Sequence, residues 1–202
     1  MSRTAFEKNE SRKMSNLVDT SNYRYSAILP EFCNIRLLCL NPSKHPTSEI
    51  YCHLFDYSVD DSLVGTHMYE ALSYTWGTQQ NPLPIYIDNK PFHITENLYA
   101  ALSHLRNHSL VRFLWIDALC INQEDPEEKA GQIVLMARIF AKASRVIVWL
   151  GEAKDNSDEA LRAIHAAAAT TKIAKSPTDE VVKSAILALL KREWYGRVWV
   201  RI

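Results

Sequence analysis

Short apolar runs bounded by turn-forming residues predict a series of β-strands along the chain. IRLLCL (35–40) and IYCHLF (50–55) are separated by a Pro- and Ser-containing stretch, and we expect them to form an N-terminal β-hairpin flap. YEALSYTWG (69–77) predicts a third strand, which stops at Gly77, where a residue without a Cβ can turn sharply. PIYID and PFHIT predict a further hairpin, with its turn around Asn89 and Lys90.

The apolar period then changes to that of amphipathic helices. The first helix begins after Thr95, which can cap it, and its inward face carries Leu98, Ala101, Leu102 and Leu105. Two later helices begin at about Ser157 and after Ser176-Pro177. Their predicted inward residues are Leu161, Ile164 and Ala168 in one, and Val182, Ala185, Ile186 and Leu189 in the other.

Between these helices lies a strand–helix–strand unit. FLWID (113–117) predicts a buried strand, and Asp125-Pro126-Glu127-Glu128 supplies an N-cap, a proline at the first helical position and an acid at the third. RVIVWLG (145–151) predicts the second strand, so the unit should be a parallel crossover. The inward face of its helix is predicted to carry Ile133, Met136, Ala137 and Phe140.

These elements predict an α/β fold in three layers, with a mostly parallel sheet flanked by helices. The chain of 202 residues is long enough for one globular domain, which we place at residues 26–202. Residues 1–25 are polar and lack any apolar period, and we expect them to form a flexible tail.

Composition narrows the classes of partner. The 23 basic and 23 acidic residues cancel, which disfavours a nucleic-acid or membrane-surface binder and favours protein or small-molecule partners. The apolar runs are too short to span a membrane, and no secretory signal is evident, so we expect a cytoplasmic protein. The four cysteines lack the spacing of a disulfide framework or a zinc site, and we expect reduced thiols and no metal.

The stretch LWIDALCINQEDPEEK (114–129) carries an unusual density of polar side chains just after a buried strand. Ligands of parallel sheets sit beyond the carboxyl ends of the strands. We therefore expect this loop to join the end of LSYTWG in one functional patch. Its candidate members are Ser73, Trp76, Gly77, Asp117, Cys120, Asn122, Gln123 and Asp125.

Several of these residues also have a purely structural interpretation. Asp125 can serve only as a helix cap, Asn122 can hold a left-handed turn, and Asp117 can bond loop amides. Cys120 lacks a partner signature for a Cys-His nucleophile, which favours a small buried side chain. The chain contains no Gly-rich phosphate loop, no G-x-S-x-G and no H-E-x-x-H, so no catalytic residue is assigned.

Four segments together resemble the fungal heterokaryon incompatibility (HET) domain. They are YEALSYTWG, ITENLYAALSHLR, LWIDALCINQEDPEEKAGQIVLMARIFAKASRVIVWLG and REWYGRVWV, and the resemblance runs from about Ile35 to Val200. It implies a role in fungal nonself recognition, in which fusion of unlike hyphae triggers programmed cell death. It also implies protein partners, through self-association or binding of a full-length HET protein.

The HET domain is in turn distantly similar to the Toll/interleukin receptor (TIR) domain, which implies a flavodoxin-like sheet. Some TIR domains act as scaffolds, and others hydrolyse NAD with a glutamate that follows a tryptophan motif. Here Arg197-Val198-Trp199-Val200 is followed by Arg201-Ile202 instead of the Gln-Glu usual at that place. We therefore expect a C-terminally truncated domain, with an exposed apolar edge around Val198, Trp199 and Val200.

Three hypotheses follow from the resemblance. The first is a signalling module that provokes cell death through protein interaction, without a cofactor. The second is an NAD glycohydrolase in which Asp117 or Asp125 replaces the missing glutamate, with NAD as the nucleotide bound. The third is an inactive relative that titrates full-length partners.

Overall fold

The computed structural model describes residues 22–28, 33–60, 67–169 and 180–197. Its strands are β1 (Asn34–Leu40), β2 (Tyr51–Ser58), β3 (Glu70–Tyr74), β4 (Leu83–Ile87), β5 (Lys90–Ile94), β6 (Arg112–Trp115) and β7 (Arg145–Trp149). Its helices are α1 (Glu96–Leu105), α2 (Asp117–Cys120), α3 (Pro126–Lys142), α4 (Ser157–Ala169) and α5 (Glu180–Leu190), followed by a 3₁₀ helix (Glu193–Gly196). The apolar pattern predicts all the strands and all the longer helices, whereas the short α2 is not predicted.

All seven strands join one mixed sheet in the order β5-β4-β2-β1-β6-β3-β7. β3 pairs in parallel with β6 and β7, and β4 pairs in parallel with β2. β1 is antiparallel to β2 and β6, and β5 is antiparallel to β4. The fold is therefore α/β, with a sheet more mixed than predicted. β6 and β7 are parallel as expected, but β3 lies between them.

The predicted N-terminal flap is wrong. β1 and β2 do pair with each other, with Leu38 opposite Leu54, but they lie in the middle of the sheet because β1 also pairs with β6. Ile35, Leu38 and Leu40 are buried. An apolar run without alternation is typical of a strand that is covered on both faces, and IRLLCL is apolar at every position except Arg36.

α1 and α3 lie on opposite faces of the sheet. The ring of Trp115 contacts Phe140 of α3, with ring centroids 5.5 Å apart. Trp115 and Val146 are both register partners of Ala71 and share its face. Trp149, three residues beyond Val146, points to the other face, where its indole nitrogen bonds a side chain of α1. Helices thus cover both faces, as a three-layer arrangement requires.

The helical faces agree with the pattern in α1 and α5 and differ elsewhere. Residues of the predicted face are buried at Leu98, Ala101 and Leu102 in α1, and at Ala185 and Leu189 in α5. In α3, Met136 and Phe140 of the predicted face do pack against the core, and Gln132, Leu135 and Ile139 complete the inward face. Ile133 and Ala137 are exposed.

The predicted inward face of α4 is wrong. Leu161 and Ile164 are exposed, and Ala168 is exposed as well. Ser157 and Ala160 are buried instead. Ala160 belongs to a small separate apolar cluster with α5. In an Ala-rich helix several faces are similarly apolar, so the larger side chains do not by themselves mark the buried one.

Part of the predicted tail is packed against the domain. The rings of Tyr23 and Tyr25 both meet Phe92 in edge-to-face contacts, with centroids 6.3 and 6.2 Å apart. The Tyr25 hydroxyl donates a hydrogen bond to the Leu119 carbonyl oxygen at 3.0 Å. Tyr25 therefore contacts the segment that carries the candidate patch.

Three further predictions concern the chain ends, the cysteines and membrane-spanning helices. Residues 1–21 of the tail and the apolar edge at residues 198–200 lie outside the described residues. The four cysteines carry free thiols. Within the described part of the chain, no helix has the length and apolar character needed to cross a membrane.

Candidate functional site

A cavity of about 680 Å³ lies at the carboxyl ends of β3 and β6. Thr75, Trp76, Gly77 and Thr78, which follow β3, form one part of its wall. Asp117, Ile121 and Gln123, which follow β6, form another. α3 and the region of the 3₁₀ helix complete it with Lys129, Ile133, Met136, Glu193 and Arg197. The edge predicted from strand direction therefore does carry a cavity.

Asp117 and Trp76 form the polar link between the two strand ends. The Trp76 indole nitrogen donates to Oδ2 of Asp117 at 3.0 Å, and the Ala118 amide donates to Oδ1 at 2.8 Å. Burial raises the pKa of the Asp117 carboxyl; the hydrogen bonds from Trp76 and Ala118, and the charge of Arg197, oppose that rise. The carboxylate is thus held in a fixed orientation in the cavity wall.

The turn after β3 is held by Asn97 of α1. Its Nδ2 donates to the Thr75 carbonyl oxygen at 2.6 Å, and its Oδ1 accepts from the Trp149 indole nitrogen at 2.9 Å. Gly77 has φ +72°, and a Cβ added there would lie 3.3 Å from Cβ of Asn97. A side chain at Gly77 would be strained both by its backbone conformation and by this contact.

The loop after α2 uses its polar side chains in different ways. Nε2 of Gln123 donates to the Asp117 carbonyl oxygen at 2.9 Å, which places Gln123 in the cavity wall. Asn122 accepts from the Glu124 amide through its Oδ1 at 3.2 Å. Oδ1 of Asp125 accepts from the amides of Glu127 and Glu128, both at 3.0 Å. Asp125 is therefore the N-cap of α3, outside the cavity.

The remaining two candidates are buried beside the cavity. The Ser73 hydroxyl accepts from the Trp194 indole nitrogen at 3.0 Å. Cys120 is fully buried, and burial raises the pKa of its thiol to about 12. A thiol that ionises so weakly is a poor nucleophile at neutral pH. Of the eight predicted residues, the cavity wall therefore contains Trp76, Gly77, Asp117 and Gln123, and not Ser73, Cys120, Asn122 or Asp125.

Comparison with known proteins identifies the family. The profile of the family described as "Heterokaryon incompatibility protein (HET)" matches residues 69–201. The chain belongs to the HET family. It is also 35% identical, over 156 residues, to "Heterokaryon incompatibility protein 6, OR allele" of Neurospora crassa. That alignment covers 71% of this chain and 22% of the relative, so the chain spans about a fifth of the relative's length. No solved structure matches the chain.

The HET match contains the whole cavity, from Thr75 to Arg197, and begins after β1 and β2. Five polar wall residues of this HET domain were not predicted: Thr75, Thr78, Lys129, Glu193 and Arg197. Arg197 donates to the Tyr74 carbonyl oxygen, and burial lowers the pKa of its guanidinium. Its approach to β3 depends on long-range packing, for which the local sequence carries no signal.

A buried ion pair supports the loop between α2 and α3, and one of its residues, Arg36, lies outside the region matched by the family profile. Arg36 of β1 contacts Glu128 of α3 at 2.6 and 2.9 Å, and its side chain is 1% exposed. Oε1 of Glu128 also accepts from the Asn122 amide at 2.6 Å. A charged side chain within a buried strand needs a partner of opposite charge, so the lone arginine in the apolar run IRLLCL indicates such a partner from sequence. Among the described residues, no cluster of His, Cys, Asp and Glu could hold a metal ion.

Proposed function

We propose that this HET domain is a fungal nonself-recognition module that triggers programmed cell death through protein interaction in the cytoplasm. The observation that carries the proposal is the family match together with the 35% identity to a relative named as an incompatibility protein. The partners we propose are a second copy of this chain or a full-length HET protein.

An exposed sheet edge supports an interaction role. Among the described strands, β7 pairs only with β3, which leaves one edge of β7 open. Val146 and Val148 are 46% and 41% exposed on the same face of that strand. An open edge with exposed β-branched residues can pair with another chain. We therefore place the proposed interaction surface at Val146 and Val148.

Expression in a fungal host tests this proposal. The variant carries Val146→Lys and Val148→Lys, and the matched control carries Leu110→Lys, because Leu110 is 67% exposed in the loop before β6. We expect the native chain and the control to cause death and to assemble with rising concentration in sedimentation velocity. The double variant should stay folded and lose both properties. Death caused equally by the folded double variant would refute the assignment of this edge.

The second candidate function is that of a TIR-like NAD glycohydrolase, which one structural observation favours. Taken in chain order, the three parallel strands β3, β6 and β7 are arranged 2-1-3, as in the centre of a flavodoxin-like sheet. Asp117 lies at their carboxyl edge, in the cavity wall. A buried carboxylate there could stabilise positive charge that develops on a ribose during loss of nicotinamide.

Nicotinamide release from NAD tests the second candidate. Asp117→Asn removes the carboxylate from the cavity, while Asp125→Asn makes the same chemical change outside it and keeps a good N-cap. The enzyme hypothesis predicts release by the native chain and by Asp125→Asn, and none by folded Asp117→Asn. Absence of release by concentrated native protein, with a control NAD hydrolase active, would exclude it. Binding to a full-length HET protein without toxicity would instead identify the titrating relative.

A further inference from the structure

The residues that follow α5 form one wall of the cavity. Glu193 and Arg197 line the cavity directly. Arg197 also donates to the Tyr74 carbonyl oxygen, at the end of β3. Residues 192–197, which we call the strap, therefore lie across the carboxyl edge of the sheet, where the cavity is found.

Two further side chains attach the strap to the strand ends. Arg192 donates to the carbonyl oxygens of Leu150, at 2.9 Å, and Lys154, at 3.2 Å, in the loop that follows β7. Nε1 of Trp194 donates to Oγ of Ser73 in β3 at 3.0 Å. With the bond from the last residue of the strap to β3, side-chain hydrogen bonds attach it at both β7 and β3.

Little apolar burial adds to these bonds. None of the residues of the 3₁₀ helix within the strap, Glu193–Gly196, is buried. α5, which carries the strap, packs with α4 in an apolar cluster of its own, formed by Ala160, Ala185 and Leu189 and separate from the core of the sheet. A segment with few buried apolar contacts opens more easily than the rest of its domain. The strap therefore depends mainly on its hydrogen bonds to stay in place.

We propose that the strap is a gate: it opens as one unit when the bonds from Arg192, Trp194 and Arg197 break together, and its release removes one wall of the cavity. This conformational device goes beyond the proposed cell-death role and does not depend on it. It requires no enzymatic activity either, because opening can be measured on the chain alone.

Hydrogen exchange of two indole N–H groups tests whether the strap opens. In ¹⁵N-labelled protein, Trp194 reports on the strap, and Trp149, whose indole nitrogen donates to Asn97 of α1 at 2.9 Å, reports on the rest of the domain. We expect the Trp194 signal to exchange at least about tenfold faster than the Trp149 signal, because local opening requires less free energy than unfolding of the domain. Trp194→Phe and Trp149→Phe assign the two signals.

Arg192→Met distinguishes opening of the whole strap from a movement of Trp194 alone, because the Arg192 side chain bonds the loop after β7 and not Ser73. The variant should accelerate Trp194 exchange at least about tenfold, a factor that a hydrogen bond from a charged group can supply. Trp149 exchange should stay unchanged. The control is Arg162→Met on α4, because Arg162 pairs with Glu159 and is 72% exposed, so neither signal should change.

Thiol alkylation tests whether the strap controls access to the cavity. Met136 and Leu135 are neighbours on α3, and both are partly buried against the core. Met136 lines the cavity, whereas Leu135 lines a different groove. When Arg192→Met is added, iodoacetamide should alkylate the thiol introduced by Met136→Cys faster, by about the same factor as Trp194 exchange. The thiol introduced by Leu135→Cys should react at an unchanged rate, and peptide mass spectrometry measures both.

The outcomes bear on the strap alone. Faster Trp194 exchange together with faster alkylation at residue 136, both caused by Arg192→Met, supports the proposal. Equal acceleration of Trp149 exchange would show that the whole domain is destabilised, and would overturn it. Trp194 exchange that ignores Arg192→Met would show that the strap is not one unit, and constant alkylation at residue 136 would show that it is not a gate. None of these results depends on whether the chain causes death or hydrolyses NAD.

Discussion

The ion pair between Arg36 and Glu128 connects β1 to the loop that forms part of the cavity wall. The guanidinium contacts both carboxylate oxygens of Glu128, and it also donates to the carbonyl oxygens of Cys120, at 3.2 Å, and Ser26. It lies 4.8 Å from the centroid of the Tyr25 ring. One side chain thus joins the N-terminal segment, the central strand, the α2 loop and α3.

Replacing Arg36 with methionine should be strongly destabilising. The two side chains are 1% and 9% exposed, so the change leaves the Glu128 carboxylate buried without its counter-charge. Removing one partner of such a pair costs about 3–5 kcal/mol. That is a large fraction of the roughly 5–15 kcal/mol that separates folded and unfolded states of a typical domain.

A double-mutant cycle isolates the pairing. Glu128→Gln keeps an oxygen that can accept from the Asn122 amide and removes the charge, so Arg36→Met combined with Glu128→Gln should cost at least about 1 kcal/mol less than the sum of the single changes. The assay is urea unfolding of all four proteins, with the free energy of unfolding taken from linear extrapolation.

An exposed ion pair provides the matched control. Lys183 and Glu180 of α5 are 2.7 Å apart, but their side chains are 41% and 84% exposed. Lys183→Met should change the free energy of unfolding by no more than about 1 kcal/mol. If Arg36→Met has an effect as small as this control, or if the Arg36 and Glu128 changes are additive, the buried pair does not hold the loop.

Three further predictions concern the cavity and its surroundings. Gly77→Ala should lower the free energy of unfolding by about 1–2 kcal/mol, because φ is +72° and Cβ of Asn97 in α1 would lie 3.3 Å from the added Cβ. Gly131→Ala, in open space on α3, should raise the free energy of unfolding by about 0.5–1 kcal/mol. Urea unfolding measures both, and a destabilised Gly131→Ala with an unchanged Gly77→Ala would contradict the geometry. Cys120, with a pKa of about 12, should resist iodoacetamide at pH 8 until the chain is unfolded, while the half-buried Cys33 and Cys39 react before it. Peptide mass spectrometry measures the order, and alkylation of Cys120 in the folded chain would contradict the prediction. Burial raises the pKa of Asp117 in the folded state above its unfolded value, so ionisation of this carboxyl opposes folding at neutral pH. The free energy of unfolding of the native chain, measured by urea unfolding, should therefore increase relative to that of Asp117→Asn as pH falls from 7 to 4. A difference between the two free energies that stays constant or changes in the opposite direction would refute this shift.

Local signals in the sequence were sufficient for most element boundaries. Thr95 accepts from the Leu98 amide and Asp125 accepts from two amides, so the predicted caps of α1 and α3 are confirmed. The predicted β4–β5 hairpin is confirmed as well, although its turn residues are Asp88 and Asn89, both with positive φ. Such features depend on a few consecutive residues, whose conformational preferences act before any long-range contact forms.

The sheet order could not be predicted in the same way. β1 and β6 are neighbours although they are more than 70 residues apart, and β3 separates β6 from β7. Pairing partners are chosen by long-range burial, and two apolar strands that are adjacent in sequence fit a flap or a sheet centre equally well by pattern. For IRLLCL, burial on both faces and the lone Arg36 favour the centre.

The polar residues of the loop from Leu114 to Lys129 divide between support of the backbone and the cavity. The side-chain oxygens of Asp125 and Asn122 accept hydrogen bonds from nearby backbone amides. A short side chain next to unbonded N–H groups can accept from them with little loss of conformational entropy. Asp117 also accepts from the neighbouring Ala118 amide, but its second carboxylate oxygen accepts from the Trp76 indole nitrogen. Gln123 donates to the Asp117 carbonyl oxygen, and both residues line the cavity. The sequence does not distinguish the residues that support the backbone from those that line the cavity. What distinguishes them is distance to Trp76 at the end of β3, which the parallel pairing of β3 and β6 brings close to Asp117.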